Sequence, residues 1–454
     1  MTRIITATKK LDCEHLLGTF LDESHYDILV DEDCDGYGPP LFGETNGEQN
    51  ILFKLRKGVF NNEEMDECHA GLIGAAKSSN NRGIAAGPRD LANRHGLRDW
   101  VTPRQLSIIA ALGQSAVCVD GTDPLENAIK NEVNPQSSDA NTVGRVWVRT
   151  RVEQELDGEY EGFFDRYVEK FRSASFEERA KAAALLSSFI SDTTYATMVN
   201  SGVAGFFDRY IRTPYGRACA YNEENPELFA RSFPYIRKLD RMYKSLLPGR
   251  YANQKKLADS IDSRFLVGGD TVFTTITVNK TFRTAAHRDA GDLGSGFSNL
   301  GVLNVGKNFR GAYLVLPEYR IAVNIRPGDL LLIANHDAIH GNTAIEAEPG
   351  CCTDCIERLS VVCYFRENMK TLGSFEYEGY RREFIESRRL NAEHPLWRPH
   401  WNGVSPACFD GDEWRTFLLN KPNGEELLRT HHPALYNSAA EAATKVTLDD
   451  FFAA

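Results

Sequence analysis

The chain has 454 residues, a hydrophobic fraction of 42% and a formal net charge of −11 at pH 7. This length allows about three domains, and no apolar run approaches the roughly 20 residues of a membrane span, so no membrane partner is expected. The negative charge is unlike that of a general DNA coat, which presents a basic face to phosphates. Ten cysteines in so long a chain indicate reduced thiols of an intracellular protein, not a disulfide scaffold.

The N-terminal part predicts a strand followed by a helix. Residues 1–45 are acidic and loop-rich, and Ile51–Arg56 then alternates apolar and basic residues, the pattern of a strand. Asn61 and Glu64 form a capping box for a helix that runs to about Ala76. Residues 119–143 are polar and rich in turn residues, which indicates a loop or linker. Amphipathic segments over residues 146–260 predict a mainly helical layer.

The pattern changes after residue 265 to short β-segments punctuated by Gly, Pro and Asn. They cover residues 272–278, 301–305, 313–316, 321–325, 329–334 and 359–365. Many short strands at this spacing predict a jelly roll. The expected fold is therefore α+β, with a double-stranded β-helix built from core strands at about 50–90 and 265–370 and covered by the helical layer. We expect one catalytic domain over residues 1–430 and a flexible tail over 431–454.

A cluster of metal-binding residue types lies within this β-region. His287 and Asp289 are two residues apart, so on a strand they share one face and can point at one ion. A second histidine follows several strands later, at His336 or His340. Two histidines and one carboxylate on one side of a metal form the facial triad of non-heme Fe(II) oxygenases. Three coordination positions stay open, two for an α-keto acid and one for O2.

An arginine enters the last β-segment shortly after the second histidine. Arg358 is suited to a second carboxylate on the keto acid because its guanidinium binds carboxylates with two parallel hydrogen bonds. Ser360 lies on the same strand face and could donate a further hydrogen bond. The alternative is a surface His–Asp hydrogen bond beside a structural arginine.

These residues carry a resemblance to the TET/JBP dioxygenases, which hydroxylate the 5-methyl group of pyrimidines in DNA with Fe(II) and 2-oxoglutarate. The matching stretches are residues 277–289, 316–320, 327–329, 340–343 and 358–364, with a fainter match at 80–88. The resemblance covers the core closely and the rest of the chain loosely. It is strongest to the compact fungal, protist and phage members, which lack the cysteine-rich region of the animal enzymes.

The resemblance implies roles for further residues. His340 matches the family's third metal ligand, with His336 as a supporting neighbour. Arg82 matches an arginine that helps to hold the co-substrate, and Asn81 matches an asparagine that faces the flipped base. A helix C-terminal turn would also explain an Asn–Gly-rich segment at this point.

Two more positions are implied to contact the substrate. Asp292 lies where the family places an Asn or Asp facing the target base, and a carboxylate there can accept from an exocyclic amine. Arg366 lies where animal relatives carry a base-contacting histidine. This departure leaves the choice of pyrimidine open.

The expected function is therefore an Fe(II)- and 2-oxoglutarate-dependent dioxygenase that uses O2 to oxidise 5-methylcytosine in double-stranded DNA. The product would be 5-hydroxymethylcytosine, with 5-formyl- and 5-carboxylcytosine after repeated turnover. The target base must leave the duplex to reach a metal at the mouth of a barrel. The alternatives are a thymine hydroxylase on DNA, a same-fold oxygenase acting on a nucleotide, small molecule or protein, and a non-catalytic DNA-binding relative.

Two clusters of basic residues flank the predicted core. One extends from Arg231 to Lys256, and the other comprises Arg381, Arg382, Arg388, Arg389 and Arg398. Either could be a solvated helical face, but with the metal core between them we expect phosphate contacts. Cys351, Cys352 and Cys355 lie in the loop before Arg358; a structural zinc needs four ligands, so free thiols are expected.

The last residues suggest a partner-binding peptide. Leu448, Phe451 and Phe452 follow a small, polar stretch, and on one helical turn they would share a side and fill an apolar pocket. The spacing resembles the clamp-binding peptide of replication proteins, with Lys445 where glutamine is usual. The alternative is that the tail packs on the catalytic domain. A sliding-clamp partner would make the source a nucleated cell and the location the nucleus.

Overall fold

The computed structural model describes residues 2–41, 45–79, 82–87, 198–210, 213–289, 291–303, 309–351, 356–389, 409 and 411–437. The chain divides into two compact units. Unit 1 comprises Met1–Leu91, Tyr195–Asp208 and Arg217–Leu372, and unit 2 comprises Ala92–Thr194, Arg209–Gly216 and Gly373–Ala454. The prediction of one catalytic domain over residues 1–430 stays a prediction. The linker predicted at 119–143 lies outside the described residues.

All the described strands belong to unit 1. In chain order they are β1 (Arg3–Thr6), β2 (Ile28–Val30), β3 (Cys34–Tyr37), β4 (Ile51–Arg56), β5 (Ser78–Ser79), β6 (Val199–Phe207), β7 (Arg217–Ala218), β8 (Thr275–Lys280), β9 (Ser298–Val302), β10 (Phe309–Gly311), β11 (Leu314–Leu316), β12 (Ile321–Val323), β13 (Leu330–Ile333), β14 (Gly341–Asn342), β15 (Ile345–Ala347) and β16 (Leu359–Tyr364). The strands predicted near residues 51–56, 329–334 and 359–365 are confirmed by β4, β13 and β16.

Two facing sheets form the β-core. The large sheet has the order β1-β3-β4-β13-β9-β16-β8-β6-β5, and the small sheet has the order β14-β11-β12-β2. The chain segment before His287 extends the small sheet, because the amide of Asn342 in β14 donates to the carbonyl oxygen of Thr284 at 2.8 Å. The antiparallel series β8-β16-β9-β13 thus faces the series formed by this segment, β14, β11 and β12. This arrangement is a double-stranded β-helix, and the predicted fold is confirmed.

The side chains of the large sheet alternate between two buried environments. On β16, Val362 and Tyr364 pack with Leu316 and Val323 of the small sheet, between the two layers. Leu359, Val361 and Cys363 of the same strand pack on the opposite face with residues of the helices. A strand that is buried on both faces needs an almost continuous apolar sequence, which is what residues 359–365 carry.

Helices cover the outer face of the large sheet in unit 1. They are α1 (Asn62–Leu72), α2 (Ala220–Glu224), α3 (Pro226–Arg231), α4 (Phe233–Leu246) and α5 (Pro248–Ala258). The predicted capping box begins α1, where the Glu64 amide donates to Asn61 Oδ1 at 2.9 Å and the Asn61 amide donates to Glu64 Oε2 at 2.9 Å. No helix among the described residues has both the length and the apolar character needed to cross a membrane.

The helical layer predicted over 146–260 is wrong at Val199–Phe207, which forms β6. Ser201–Gly205 pairs antiparallel with β8, and Gly202 lets this strand lie against the carbonyl of Ala75. A glycine-rich stretch has weak helix propensity, and pairing to an existing sheet decides its structure. Residues 146–197 of the predicted layer lie outside the described residues.

The N-terminal 45 residues also contain more structure than predicted. β1 and β3 pair in parallel, from Arg3 opposite Cys34 to Thr6 opposite Tyr37, and β3 pairs with β4. The stretch Cys34–Tyr37 contains Asp35 and Gly36, residues typical of turns. Gly36 serves instead to admit the ring of Phe53, which lies where a β-carbon would be.

Unit 2 has its own core. Its described helices are α6 (Phe375–Arg389), α7 (Asp412–Leu419) and α8 (Gly424–His431). Buried Glu378 accepts hydrogen bonds from Arg209 and from the amides of Gly216 and Gly373. Arg381 is buried, donates to the carbonyl of Pro214 at 2.9 Å and lies 3.5 Å from the ring centre of Phe409.

The prediction of phosphate contacts is therefore wrong for Arg381, which belongs to the core of unit 2. Arg388 donates to the Phe384 carbonyl at 2.9 Å and pairs with Glu413. Several residues of the first cluster are also neutralised, by the ion pairs Arg231–Glu67, Arg237–Asp270, Lys238–Glu64 and Lys255–Asp259. The side chain of Arg389 and the whole of Arg398 lie outside the described residues.

The close approach at Gly202 predicts a stability effect. In Gly202→Ala the new β-carbon would lie 1.8 Å from the carbonyl oxygen of Ala75. We expect a loss of unfolding free energy of about 1–3 kcal/mol or more, because backbone must move to relieve the overlap. Gly38→Ala is the control, since its β-carbon would lie 3.4 Å from the nearest atom. Equal urea midpoints for the two variants would contradict the packing described for β6.

Candidate active site

Three potential metal ligands converge at one end of the barrel. His287, Asp289 and His340 each offer a ligand atom, and these atoms all lie within 4.8 Å of one another. The Nε2 atom of His287 is 3.3 Å from Asp289 Oδ1, and that of His340 is 3.8 Å from Asp289 Oδ2. No other group of this kind occurs among the residues that the structure describes.

The backbone joins the two histidines directly. The amide of each donates to the carbonyl oxygen of the other at 2.9 Å. The His287 Nδ1 atom lies 2.8 Å from the Ala285 carbonyl oxygen, and the His340 Nδ1 atom lies 3.0 Å from that of Ala338. A hydrogen bond to a carbonyl places the proton on Nδ1, so both Nε2 lone pairs are directed to the ion position.

The three candidate ligands shift one another's pKa. Burial would lower the pKa of His287, but its hydrogen bond with Asp289 and the charge of Asp289 raise it. Burial, followed by the charge of His287, lowers the pKa of His340 to about 4. Burial would raise the pKa of Asp289, but its hydrogen bond with His287 and the charge of His340 lower it to about 2. Neutral imidazole and ionised carboxylate are the forms that bind metals. Fe(II) accepts this two-histidine, one-carboxylate set and leaves coordination positions for other ligands.

His336 does not join the group. It is exposed, and its ring approaches the position of a β-carbon on Gly294, with Cδ2 at 3.3 Å. The structure therefore places His340, not His336, beside His287 and Asp289. The ligand role itself stays a prediction.

Arg358 provides the test of whether a keto acid with a second carboxylate fits. Its side chain is 3% exposed, and its Nη1 donates to Ser360 Oγ at 3.2 Å. No acid among the described residues pairs with it, and Nε is buried without a hydrogen-bond partner. Burial, followed by the charge of Arg326, lowers the pKa of Arg358 to about 10. A buried, charged guanidinium without an acid is a site for a ligand carboxylate.

Arg82 lies on the metal side of the sheet. Its Nη2 donates to the carbonyl oxygen of Gly202 at 2.8 Å, and its Nε is buried without a partner. Burial lowers its pKa, while the charges of Tyr364 and Asp289 act to raise it. It is therefore within electrostatic reach of the metal group, as a co-substrate contact requires. Asn81 lies outside the described residues.

The two predicted base contacts are neighbours. The backbones of Asp292 and Arg366 form an antiparallel bridge. Asp292 is buried and accepts from Ser298 Oγ at 2.6 Å, and it lines a small cavity with Asn335, His336 and Tyr364. Burial, followed by the charge of Asp289, raises the pKa of Asp292 well above its usual value. The role of Asp292 as a base contact stays a prediction.

Sequence reasoning missed the partner of Arg366. Asp208 follows β6 directly, and its Oδ1 accepts from Arg366 Nε at 2.8 Å. The Arg366 guanidinium also lies 5.2 Å from the ring centre of Phe207. Nothing in the sequence around Phe207 and Asp208 marks them as site residues, because they reach the site only through the pairing of β6 with β8.

The cysteines near Arg358 give little further information. Cys351 is a free, exposed thiol, while Cys352 and Cys355 lie outside the described residues. The expectation of free thiols in this loop stays a prediction.

The fold and site together define the class of an iron-dependent, 2-oxoglutarate-type oxygenase. Residues 203–367, which include the metal group and Arg358, match Tet_JBP, the oxygenase domain of the 2OGFeDO superfamily. This segment is a Tet_JBP oxygenase domain, and the resemblance seen in the sequence is confirmed.

Similar proteins include two thymine dioxygenases. The chain is 34% identical over 198 residues to the bifunctional helicase and thymine dioxygenase JBP2 of Leishmania infantum, covering 43% of this chain and 17% of the relative. It is 31% identical over 251 residues to the thymine dioxygenase JBP1 of Crithidia fasciculata, covering 55% of this chain and 27% of the relative. The match thus spans about a quarter or less of each relative's length.

Among solved structures, NgTET1 in complex with 5mC DNA matches with a TM-score of 0.29 and 19% identity. The match covers 38% of this chain and 64% of that chain. We draw no argument from so slight a likeness.

The metal group predicts the effect of removing its only acid. Asp289→Ala should weaken Mn(II) binding by about 100-fold or more, since loss of even an outer hydrogen-bond partner typically weakens metal binding 10–100-fold. The melting temperature without metal should not fall, because Asp289 serves the ion and not the core. Asp337→Ala removes an exposed acid from the segment before His340 and is the control. Calorimetric titration checks this, and wild-type affinity in Asp289→Ala would rule out the ligand set.

Proposed function

We propose that this chain oxidises the 5-methyl group of 5-methylcytosine in double-stranded DNA with Fe(II), 2-oxoglutarate and O2. The observation that carries the proposal is the combination of His287, Asp289 and His340 with a buried Arg358 that lacks an acidic partner among the described residues. The first set fits the metal, and the second fits the far carboxylate of a keto diacid. The Tet_JBP assignment of the same segment supports the reaction class.

Different residues would bind the metal and the co-substrate. His287, Asp289 and His340 would hold the metal, since a set of two histidines and one carboxylate leaves coordination positions for other ligands. Arg358 and Ser360 would bind and orient the co-substrate through its distal carboxylate, and the charge of Asp289 acts on Arg82, which is the candidate for contact with the metal-binding end. When bound, iron, 2-oxoglutarate and O2 supply the oxidising power that an unactivated methyl group requires. Repeated reaction at one base would give the formyl and carboxyl products.

The base enters from the duplex by flipping. Asp292 and Tyr364 line a small cavity, and Arg366, whose backbone bridges to Asp292, is held by Asp208. A carboxyl oxygen of Asp292 can accept from the exocyclic amine of cytosine. DNA as the substrate is also supported by the two similar dioxygenases, whose names give thymine as their target.

Thymine is the second candidate base. The named activity of the JBP relatives favours it. The raised pKa of Asp292 favours a protonated carboxyl, which could donate to the O4 atom of thymine. A sliding clamp as partner remains a prediction, because Leu448, Phe451 and Phe452 lie outside the described residues. We propose a nuclear location if the source is a nucleated cell.

The direct test is incubation of the chain with Fe(II), 2-oxoglutarate and two duplexes, one with 5-methylcytosine and one without it. Nucleoside mass spectrometry should detect 5-hydroxymethylcytosine in the first duplex only, and His340→Ala should remove it. Hydroxymethyluracil in both duplexes would show that thymine, and not 5-methylcytosine, is the base that is oxidised. Absence of any oxidised base, with co-substrate bound, would contradict action on DNA.

The position of Asp292 predicts an effect on the DNA substrate and not on the co-substrate. Asp292→Ala should lower kcat/KM for 5-methylcytosine DNA by about tenfold, the effect of losing one buried hydrogen bond. The KM for 2-oxoglutarate should stay within twofold, because Arg358 and not Asp292 binds that ligand. Asp337→Ala again serves as the control. A rise in the KM for 2-oxoglutarate with no change toward DNA would place Asp292 in the co-substrate site instead.

A further inference from the structure

A second arginine lies at the same end of the barrel as Arg358. Arg326 precedes β13 in the turn Arg326-Pro-Gly-Asp329, and its amide donates to Asp329 Oδ2 at 2.8 Å. Its guanidinium carbon lies 4.8 Å from the ring centre of Phe309 and 5.6 Å from that of Tyr313. The guanidinium carbon of Arg358 lies 5.8 Å from the same Phe309 ring. Both charges are therefore placed against one aromatic side chain.

The strand register explains why these two residues come together. Val302, at the end of β9, pairs with Ser360 of β16 and forms a parallel bridge with Pro327. The amide of Gly328 also donates to the Val302 carbonyl oxygen at 3.3 Å. Pro327, which follows Arg326, and Ser360, two residues after Arg358, thus both pair with Val302. The position of Arg326 is set by the β-core and not by a free loop.

Neither arginine has an acidic partner among the residues that the structure describes. Arg326 Nη1 and Arg358 Nε are buried without hydrogen bonds. Asp329, the nearest acid in sequence, is fully engaged by the amides of Arg326 and Gly58 and by Lys57. The charge of Arg326 contributes to the low pKa of Arg358, so the two guanidinium groups repel each other.

Other cations near this end of the barrel are neutralised. Arg56 pairs with Asp35 at 2.8 Å, and Arg310, next to Phe309, pairs with Glu346 at 2.7 Å. Two unpaired, mutually repelling guanidinium groups with buried nitrogen atoms are costly unless an anion neutralises them. A carboxylate has two oxygens and about four acceptor positions, so it can receive hydrogen bonds from two guanidinium groups at once.

We propose that Arg326 is a second binding residue for the co-substrate, and that it and Arg358 hold the distal carboxylate of the 2-oxo acid between them. The inference rests on the proposed function. It makes the site selective for 2-oxo diacids. A 2-oxo monoacid such as pyruvate has no distal carboxylate, so both arginines would stay unneutralised. Its affinity should therefore fall by more than the loss of one hydrogen bond would cause.

The test is calorimetric binding of N-oxalylglycine, an unreactive analogue of 2-oxoglutarate, to the full chain with Mn(II). We compare Arg326→Gln, Arg358→Gln, the double variant and Arg310→Gln. Arg326→Gln should raise the Kd by about tenfold or more, as expected for loss of one charge-assisted hydrogen bond. Arg310→Gln changes an exposed, paired arginine next to Phe309 and should leave the Kd within twofold. Because the two arginines share one carboxylate, the double variant should lose less than the product of the single losses.

Arg326→Lys is a second variant that tests the inference if Arg326→Gln does not fold. It keeps the charge and the aliphatic stem but not the two-pronged geometry, so binding several-fold weaker than wild type is expected. A Kd within twofold of wild type in both Arg326 variants would overturn the inference. If the affinity losses of the two single variants multiply in the double variant, Arg326 acts at a distance and does not share the carboxylate with Arg358. That result would overturn the inference as well. If the wild type itself fails to bind N-oxalylglycine, the proposed function fails first.

Discussion

The site depends on two main-chain hydrogen bonds between His287 and His340, each 2.9 Å long. They join the segment that carries the His-x-Asp pair to β14, although these parts of the chain are more than 50 positions apart. A strand periodicity of two then sets Asp289 on the same side as His287. The remaining strands of the β-helix hold this junction in register, so the metal position is a consequence of sheet topology.

The charged residues within the barrel match the two ligands that the proposed function requires, a metal ion and a keto diacid. The metal group holds Asp289, whose pKa is lowered to about 2, between two histidines, while Arg358 and Arg326 have no acidic partners among the described residues. A keto diacid brings a metal-chelating end for the first set and a carboxylate for the second. On the outside, by contrast, many basic residues are already paired with acids.

The β-helix strands and the metal-binding residues could be predicted from sequence because both follow short-range patterns. β4, β13 and β16 are apolar or alternating segments, and His287 and Asp289 have the spacing of one strand face. β6 and the N-terminal strands could not be predicted, since glycine-containing stretches such as Gly202–Gly205 become strands only through pairing with β8. For the same reason Asp208 and Arg326 carried no local signal. The raised pKa of Asp292 arises from burial and from the charge of Asp289, neither of which a sequence displays.

The central claim is that one site binds both Fe(II) and 2-oxoglutarate. A 2-oxo acid that chelates Fe(II) through its carboxylate and keto oxygens produces a visible absorption band, which can be measured without O2. Anaerobic titration of the wild-type chain with 2-oxoglutarate in the presence of Fe(II) should develop this band with saturation near one equivalent per chain, and Asp289→Ala should not develop it. No band in the wild type, or an equal band in Asp289→Ala, would contradict the account.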